Sequence, residues 1–149
     1  MYHPIAIIGA GPGDPELLTV KAHKLIIDAD VILHDNLVSQ SILSLNTLAE
    51  KIYVGRKFGD TNNQKDRQLR INELLYENYN QHKKVVRLKS GDPYIYGRAA
   101  EEARFLTAKK AEFIVVPGIS AAIAAANICN IPITERNHSN AMLICTAHT

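Results

Sequence analysis

Short apolar runs that end abruptly in glycine, aspartate or proline constrain the fold of this chain more than any other feature. They occupy residues 5–8, 31–33, 51–54, 84–88 and 113–116. The clearest of them are apolar without alternation, which is typical of strands covered on both faces in a parallel sheet. Helix-like stretches separate the runs. The sequence therefore predicts an α/β fold with an open, mostly parallel sheet and helices on both faces.

The stretches between the runs carry helix signals. Asp14-Pro15-Glu16 combines a capping residue, a proline suited to the first turn and an acid, so a helix is predicted to begin there. Ser39 and Ser120 are candidate caps of two further helices. A helix after Arg67 is predicted to turn Leu69, Ile71, Leu74, Leu75 and Tyr79 inward, and a last strand is predicted at residues 142–147.

Composition limits the classes of function. The 149 residues suffice for one domain with a core, and 17 basic against 15 acidic side chains give a net charge of +2. This balance gives no reason to expect a nucleic-acid partner. No apolar run approaches membrane-spanning length, so a cytoplasmic protein is expected. Cys129 and Cys145 have no metal-ligand spacing, and we expect buried free thiols and no metal.

Parallel strands end on the same edge of their sheet, so residues just beyond those ends should line one crevice. Those residues are Pro12, Asp35, Arg56, Asp92 and Ser120. The glycines of residues 9–13 fit the dinucleotide pattern badly, because Asp14 stands where the third glycine belongs. Asp35 is either a general base or a turn acid, and Arg56 with Lys57 either binds carboxylates or is solvated surface.

Six segments stand in an order that resembles the tetrapyrrole methylases, within which the chain is most similar to the branch that acts on uroporphyrinogen III. They cover nearly the whole chain. The segments are Gly-Ala-Gly-Pro-Gly-Asp-Pro-Glu-Leu-Leu-Thr (9–19), His-Asp-Asn-Leu-Val-Ser (34–39), Val-Gly-Arg-Lys (54–57), Val-Val-Arg-Leu-Lys-Ser-Gly-Asp-Pro-Tyr-Ile-Tyr-Gly-Arg (85–98), Val-Pro-Gly-Ile-Ser-Ala-Ala (116–122) and Ile-Pro-Ile-Thr-Glu-Arg (131–136).

The resemblance implies roles for individual residues. Asp35 matches the acid assigned as proton acceptor. Arg56 occupies the catalytic position of a proton-donating lysine, but arginine stays charged, so carboxylate binding together with Lys57 is the role we expect. The residues implied to bind the methyl donor S-adenosylmethionine are Pro12, Ser90, Gly91, Asp92, Ile95, Ser120 and Ala121.

The resemblance also implies the activity. We expect S-adenosylmethionine-dependent C-methylation of uroporphyrinogen III to precorrin-2, for siroheme or cobalamin, by a homodimeric enzyme. Residues 1–149 would form its amino-terminal domain, and a second domain, absent from this chain, would complete the donor site. The isolated chain is then expected to be inactive. The alternatives are a methylase of a later precorrin, of rRNA or of protein, or an inactive module for binding or dimerisation.

Overall fold

One parallel sheet organises the chain. The computed structural model describes residues 1–56 and 63–145. The sheet runs in the order β3-β2-β4-β1-β5, and each pair of neighbouring strands is parallel. This confirms the predicted sheet. Its strands are β1 (Ile5–Gly9), β2 (Val31–His34), β3 (Glu50–Tyr53), β4 (Val85–Lys89) and β5 (Phe113–Val116).

The helices divide between the two faces of the sheet. From β1 the chain moves outward to β2 and β3, then returns to β4 and crosses to β5. Right-handed crossovers in opposite directions place their helices on opposite faces, as predicted. The helices are α1 (Val20–Ile27), α2 (Gln40–Leu43), α3 (Gln64–Asn80), α4 (Ala99–Ala108) and α5 (Ala121–Ile128).

Two hydrophobic clusters hold the layers together, and β1 shows why its run is apolar throughout. Ala6 and Ile8 belong to the cluster shared with α1 and α2, whereas Ile5 and Ile7 belong to the cluster shared with α3 and α4. Successive strand residues point to opposite faces, so a strand covered on both sides needs apolar residues at every position.

The predicted helix starts need correction. Asp14 caps only a 3-10 turn, Pro15–Leu17, by accepting a bond from the Glu16 amide at 2.9 Å. Leu18 is extended, so α1 starts later, where the Thr19 hydroxyl accepts from the Ala22 amide at 3.1 Å. Ser39 precedes α2, but its side chain makes no capping bond; its hydroxyl donates to the Gly13 carbonyl at 2.6 Å.

The inward face of α3 is also offset from the prediction. Ile71, Leu75 and Tyr79 are buried as expected, but Leu69 is 50% exposed. The buried stripe begins at Gln68, whose amide group bonds Asn72 at 3.1 Å. Leu69 lies about 100° further round the helix, so it faces away from the stripe. Gln68 and Asn72 thus belong to the buried face of α3, for which the sequence pattern predicts only apolar residues.

The strand predicted at 142–147 is wrong over its described part. Residues 142–145 form no strand, and Met142 and Leu143 are exposed; residues 146 and 147 lie outside the described residues. A strand needs a partner for its backbone groups, and none of the described strands pairs with this segment. Cys129 and Cys145 are exposed too, contrary to the predicted burial.

Candidate functional site

The crevice lies where β1 and β4 stand side by side. The chain leaves these two strands in opposite directions, which makes their carboxyl ends a topological switch point, the usual ligand position in open α/β sheets. Just beyond the strands, Gly11 and Gly91 exchange two backbone hydrogen bonds: the Gly91 amide donates at 2.8 Å and the Gly11 amide at 3.2 Å. The loops after β1 and β4 are thus joined directly.

Glycines let the backbones of three loops meet at the base of the crevice. A Cβ atom on Gly9 would lie 2.5 Å from the Gly118 nitrogen and 2.6 Å from the Gly91 oxygen. Both contacts are with backbone, which has no room to move aside. Side chains are therefore excluded here, and the loops after β1, β4 and β5 pack against one another.

A cavity of about 400 Å³, the first cavity, opens above this base. The structure brings together in its wall all seven residues that the sequence predicted for the methyl donor. Their roles stay predictions, but their grouping is a property of the fold. The wall consists of Gly11, Pro12, Leu37, Ser90, Gly91, Asp92, Ile95, Tyr96, Ser120, Ala121, Ala122 and Ile144.

Two polar side chains of the first cavity differ in what they contact. Both oxygens of Asp92 accept backbone bonds, one from Tyr94 at 2.9 Å and the other from Gly118 at 3.2 Å. Asp92 thus ties the loop after β4 to the loop after β5. The Ser120 hydroxyl is buried and has no partner among the described residues, and it does not cap α5 as predicted. A buried hydroxyl without a partner is costly, so a ligand bond would satisfy it.

A second cavity, of about 360 Å³, adjoins the first. The two share Leu37, Ser90, Ile95 and Tyr96. In contrast to the first cavity, the second contains most of the charge of the site. Its remaining wall consists of Asp35, Gln68, Arg87, Lys89, Gly97 and Arg98.

Asp35 is held from two sides. Its Oδ1 accepts the Leu37 amide at 3.1 Å, and its Oδ2 lies 3.7 Å from Nη2 of Arg87. The Arg87 side chain is 4% exposed, and its Nε donates to Oε1 of Glu102 at 3.1 Å. The carboxylate of Asp35, 26% exposed, therefore sits at the rim above a buried guanidinium.

Lys89 lies beside Arg87 on the same face of β4. Its Nζ donates to the same oxygen of Glu102 at 2.9 Å. Burial lowers the pKa of Lys89, the positive charge of Arg87 lowers it further, and Glu102 partly opposes both effects. Sequence reasoning missed Arg87, Lys89 and Glu102 as site residues. The signal was available, because two cations two positions apart in a buried strand must share one face.

The loop from β4 to α4 contains two residues in the left-handed region, Tyr96 at φ 54° and Arg98 at φ 58°. Such conformations are costly for residues other than glycine and tend to occur at functional sites. Arg98 pairs with Glu101 through bonds of 2.7 and 2.8 Å, which lowers the pKa of Glu101. The Tyr96 hydroxyl donates to the Ile144 carbonyl at 2.9 Å, so this loop contacts the carboxyl-terminal segment.

Arg56 is the predicted site residue that the structure does not bring to the crevice. It is exposed and lines neither cavity, although its carbonyl accepts a bond from the Tyr53 hydroxyl at 3.0 Å. Lys57, the other predicted carboxylate ligand, lies outside the described residues. The roles predicted for both residues stay predictions.

The described residues contain neither a candidate metal site nor a helix that could span a membrane. Between residues 1 and 56 and between 63 and 145, no three His, Cys, Asp or Glu side chains gather in a way that would hold a metal ion. Within the same ranges, no helix has the length and apolarity needed to cross a membrane.

Comparison with known proteins agrees with this geometry. The family model of the Tetrapyrrole (Corrin/Porphyrin) Methylases matches residues 4–149. An S-adenosyl-L-methionine-dependent uroporphyrinogen III methyltransferase of Methanosarcina barkeri is 46% identical over 148 residues, which are 99% of this chain and 57% of that protein. A siroheme synthase of Psychrobacter arcticus is 48% identical over 143 residues, 95% of this chain and 26% of that protein.

A solved structure extends the likeness to three dimensions. It is the uroporphyrin-III C-methyl transferase of Thermus thermophilus complexed with S-adenyl homocysteine, which superposes with a TM-score of 0.74 at 39% identity. The match covers 91% of this chain and 51% of that one, so the chain spans about half the length of this relative. Fold, crevice and sequence agree: the chain belongs to the tetrapyrrole methylase family.

Proposed function

We propose that this chain is part of an S-adenosylmethionine-dependent methyltransferase that methylates carbon atoms of uroporphyrinogen III and forms precorrin-2. The observation that carries the proposal is the first cavity, which gathers every residue predicted to contact the donor. The relatives support it, since one is named for this donor and substrate and another is complexed with the demethylated donor. The siroheme synthase relative supports siroheme as the product of the pathway.

The wall of the first cavity suits a nucleoside-like donor. Pro12, Ile95 and Ala121 supply apolar surface. The hydroxyl of Ser120, which has no partner in the described part of the chain, supplies a buried polar contact. Pockets for small ligands commonly combine an apolar wall with a few placed polar groups. When bound, the donor would supply an electrophilic methyl group on a sulfonium. Asp92 would act indirectly, by holding the loop that carries Ser90 and Gly91.

The second cavity suits the acceptor. The reduced pyrrole rings of uroporphyrinogen III are carbon nucleophiles, so the enzyme mainly has to align two reactants, an effect that can contribute about 7 kcal/mol or more. The two cavities share a wall, which is consistent with passage of a methyl group from one to the other. Asp35, at the rim of the second cavity, would accept the proton that the methylated macrocycle loses.

A second domain, and a homodimer, remain part of the proposal. Support for the domain comes from apolar residues that follow or end α5 and stay exposed: Ile128 at 71%, Ile131 at 58% and Leu143 at 86%. Exposed apolar surface of this kind is available to pack against another domain. A second domain over this surface would also close the outer side of the first cavity. Exposed Arg56 remains available, with Lys57, for a substrate carboxylate.

Calorimetric titration tests the donor assignment. The full-length protein should bind S-adenosylhomocysteine and should not bind NAD or ATP. Ser120→Ala should weaken binding, because the ligand then loses its partner in the buried wall. Lys84→Gln, at the far end of β4, serves as the control and should bind normally. Binding of NAD without binding of S-adenosylhomocysteine would contradict the proposal.

A further inference from the structure

Two buried cations beneath Asp35 have no role in the mechanism described so far. The side chains of Arg87 and Lys89 are 4% and 5% exposed, and both bond a single oxygen of Glu102, which is 0% exposed. One buried carboxylate thus faces two buried cations. Burying a charge is expensive unless it is paired and hydrogen-bonded, so the hydrogen bonds of each cation need to be accounted for.

Each of the three side-chain nitrogens of Arg87 has a partner within the protein. Its Nε donates to Glu102, its Nη1 donates to the Leu88 carbonyl at 2.9 Å, and its Nη2 faces Asp35 at 3.7 Å. Lys89 is different. A lysine ammonium has three N–H donors, and among the described residues the Nζ of Lys89 has only the bond to Glu102. Two donors therefore stay open on a buried side chain that lines the second cavity.

The other charged groups around Lys89 do not occupy these donors. Arg98 and Glu101 are bonded to each other through both pairs of atoms, and Asp35 contacts Arg87 instead. The part of α3 that lines this cavity contributes Gln68, which is neutral. The charged groups facing Lys89 are thus Asp35 after β2, Arg87 on β4, and Arg98, Glu101 and Glu102 at the start of α4.

We propose that Lys89 binds a carboxylate of the substrate in the second cavity. A carboxylate there would accept the two open N–H groups of an ammonium whose carboxylate partner, Glu102, is shared with Arg87. Charge-assisted bonds of this kind are the stronger ones in proteins. The inference rests on the proposed function for the identity of the ligand, a macrocycle carrying eight carboxylates, and it adds a buried contact to those predicted for exposed Arg56 and for Lys57.

The proposal has a signature in pH that a merely structural lysine would not show. Only the protonated amine attracts a carboxylate, and burial among charged neighbours lowers the pKa of Lys89. Affinity for the macrocycle should therefore fall as pH rises, and should do so below the pH at which an ordinary lysine titrates. An arginine in its place stays charged, so Lys89→Arg should remove this dependence.

The experiment measures binding of uroporphyrin III, the oxidised macrocycle with the same carboxylates, to the full-length protein by its absorbance and fluorescence. Three variants accompany the wild type: Lys89→Arg, the double variant Lys89→Gln with Glu102→Gln, and the control Lys84→Gln. The double variant removes one cation and one anion together, so the net charge of the cluster is kept, and Arg87 retains Asp35 as an anionic partner at 3.7 Å. Titrations with S-adenosylhomocysteine and thermal melts check the donor site and the fold.

We expect wild-type and Lys84→Gln affinity to decline with pH and Lys89→Arg affinity to stay level. The double variant should bind uroporphyrin about tenfold more weakly at neutral pH, the effect of one lost charge-assisted bond, with donor affinity unchanged. If the enzyme methylates uroporphyrinogen III but all four proteins bind the porphyrin with equal affinity, this inference is overturned and the proposed function is not. Absence of both donor and porphyrin binding in the wild type would overturn the proposed function with it.

Discussion

Adjacent glutamates on α4 offer a direct test of how burial sets the contribution of a charge. Glu101 and Glu102 each accept two hydrogen bonds from cationic side chains, at 2.7 and 2.8 Å and at 2.9 and 3.1 Å. The bonds of Glu101 are the shorter ones. Its side chain is 38% exposed, however, whereas that of Glu102 is 0% exposed. Bond length and burial therefore predict opposite orders of importance.

We expect burial, rather than bond length, to determine which substitution lowers the free energy of unfolding more. In Glu102→Gln the shape of the side chain is kept, but Arg87 and Lys89 lose their shared negative charge inside the protein. Breaking a buried pair in this way typically costs about 3–5 kcal/mol. Glu101→Gln breaks a pair that water already screens, which should cost about 1 kcal/mol or less. For a domain of this length, 1 kcal/mol corresponds to about 2–4 °C of melting temperature. The melting temperature should therefore fall by about 6–20 °C in Glu102→Gln and by at most about 4 °C in Glu101→Gln.

The assay is thermal melting of the 149-residue chain, monitored by circular dichroism. We expect this chain to fold and to melt cooperatively, because domains of this size commonly do. Urea titration of the same proteins gives the free energies independently. Equal falls for the two variants, or a larger fall for Glu101→Gln, would refute the reasoning that burial outweighs bond length.

Three further predictions concern the two cavities. The pKa of Lys89 is lowered in the folded chain, so the unfolded chain binds more protons at alkaline pH. The stability of the wild type relative to Lys89→Arg should therefore rise as pH approaches about 10.5. Urea titrations at several pH values can measure this rise. Asp35→Asn should reduce methyl transfer roughly a hundredfold with donor affinity unchanged, whereas Asp92→Asn should weaken donor binding; equal loss of donor affinity would show that these roles are divided wrongly. Ser120→Ala should not lower the melting temperature, because it removes a costly buried hydroxyl that has no partner among the described residues, while S-adenosylhomocysteine should bind about tenfold more weakly in calorimetry.

The sequence predicted the position of the crevice because that position follows from topology. Once the apolar runs were recognised as parallel strands, Pro12, Asp92 and Ser120 had to meet at one edge, and they do. Predicting that these residues lie together required no knowledge of side-chain conformations. Arg56 follows β3, the strand at one end of the sheet, and edge position explains why it reaches neither cavity.

The buried charges could not be predicted in the same way. Arg87 and Lys89 stand in a strand whose other residues are apolar, and Glu102 sits on a helix more than ten residues later. Only the packing of α4 against β4 brings the carboxylate within 3.1 Å of both cations. Such a cluster depends on tertiary contacts between elements, whereas hydrophobic periodicity reports on each element alone.

The carboxyl-terminal predictions were wrong for a related reason. Apolar composition at residues 142–145 and around Cys129 predicts burial in this domain, but Met142, Leu143 and both cysteines are exposed in the structure. Apolar composition indicates that a segment is buried against some other surface, but it does not indicate whether that surface belongs to the same domain or to another. Packing against a second domain, as proposed, would explain both the composition and the exposure.

The central claim is methyl transfer to uroporphyrinogen III. Its most direct test supplies the full-length protein with labelled S-adenosylmethionine and with uroporphyrinogen III freshly prepared by reduction. Mass spectrometry then identifies the macrocycle. The account predicts labelled precorrin-2 from the full-length protein and no methyl transfer from residues 1–149 alone. An unlabelled macrocycle from the full-length protein, or methylation at an ordinary enzymatic rate by the 149-residue chain alone, would contradict it.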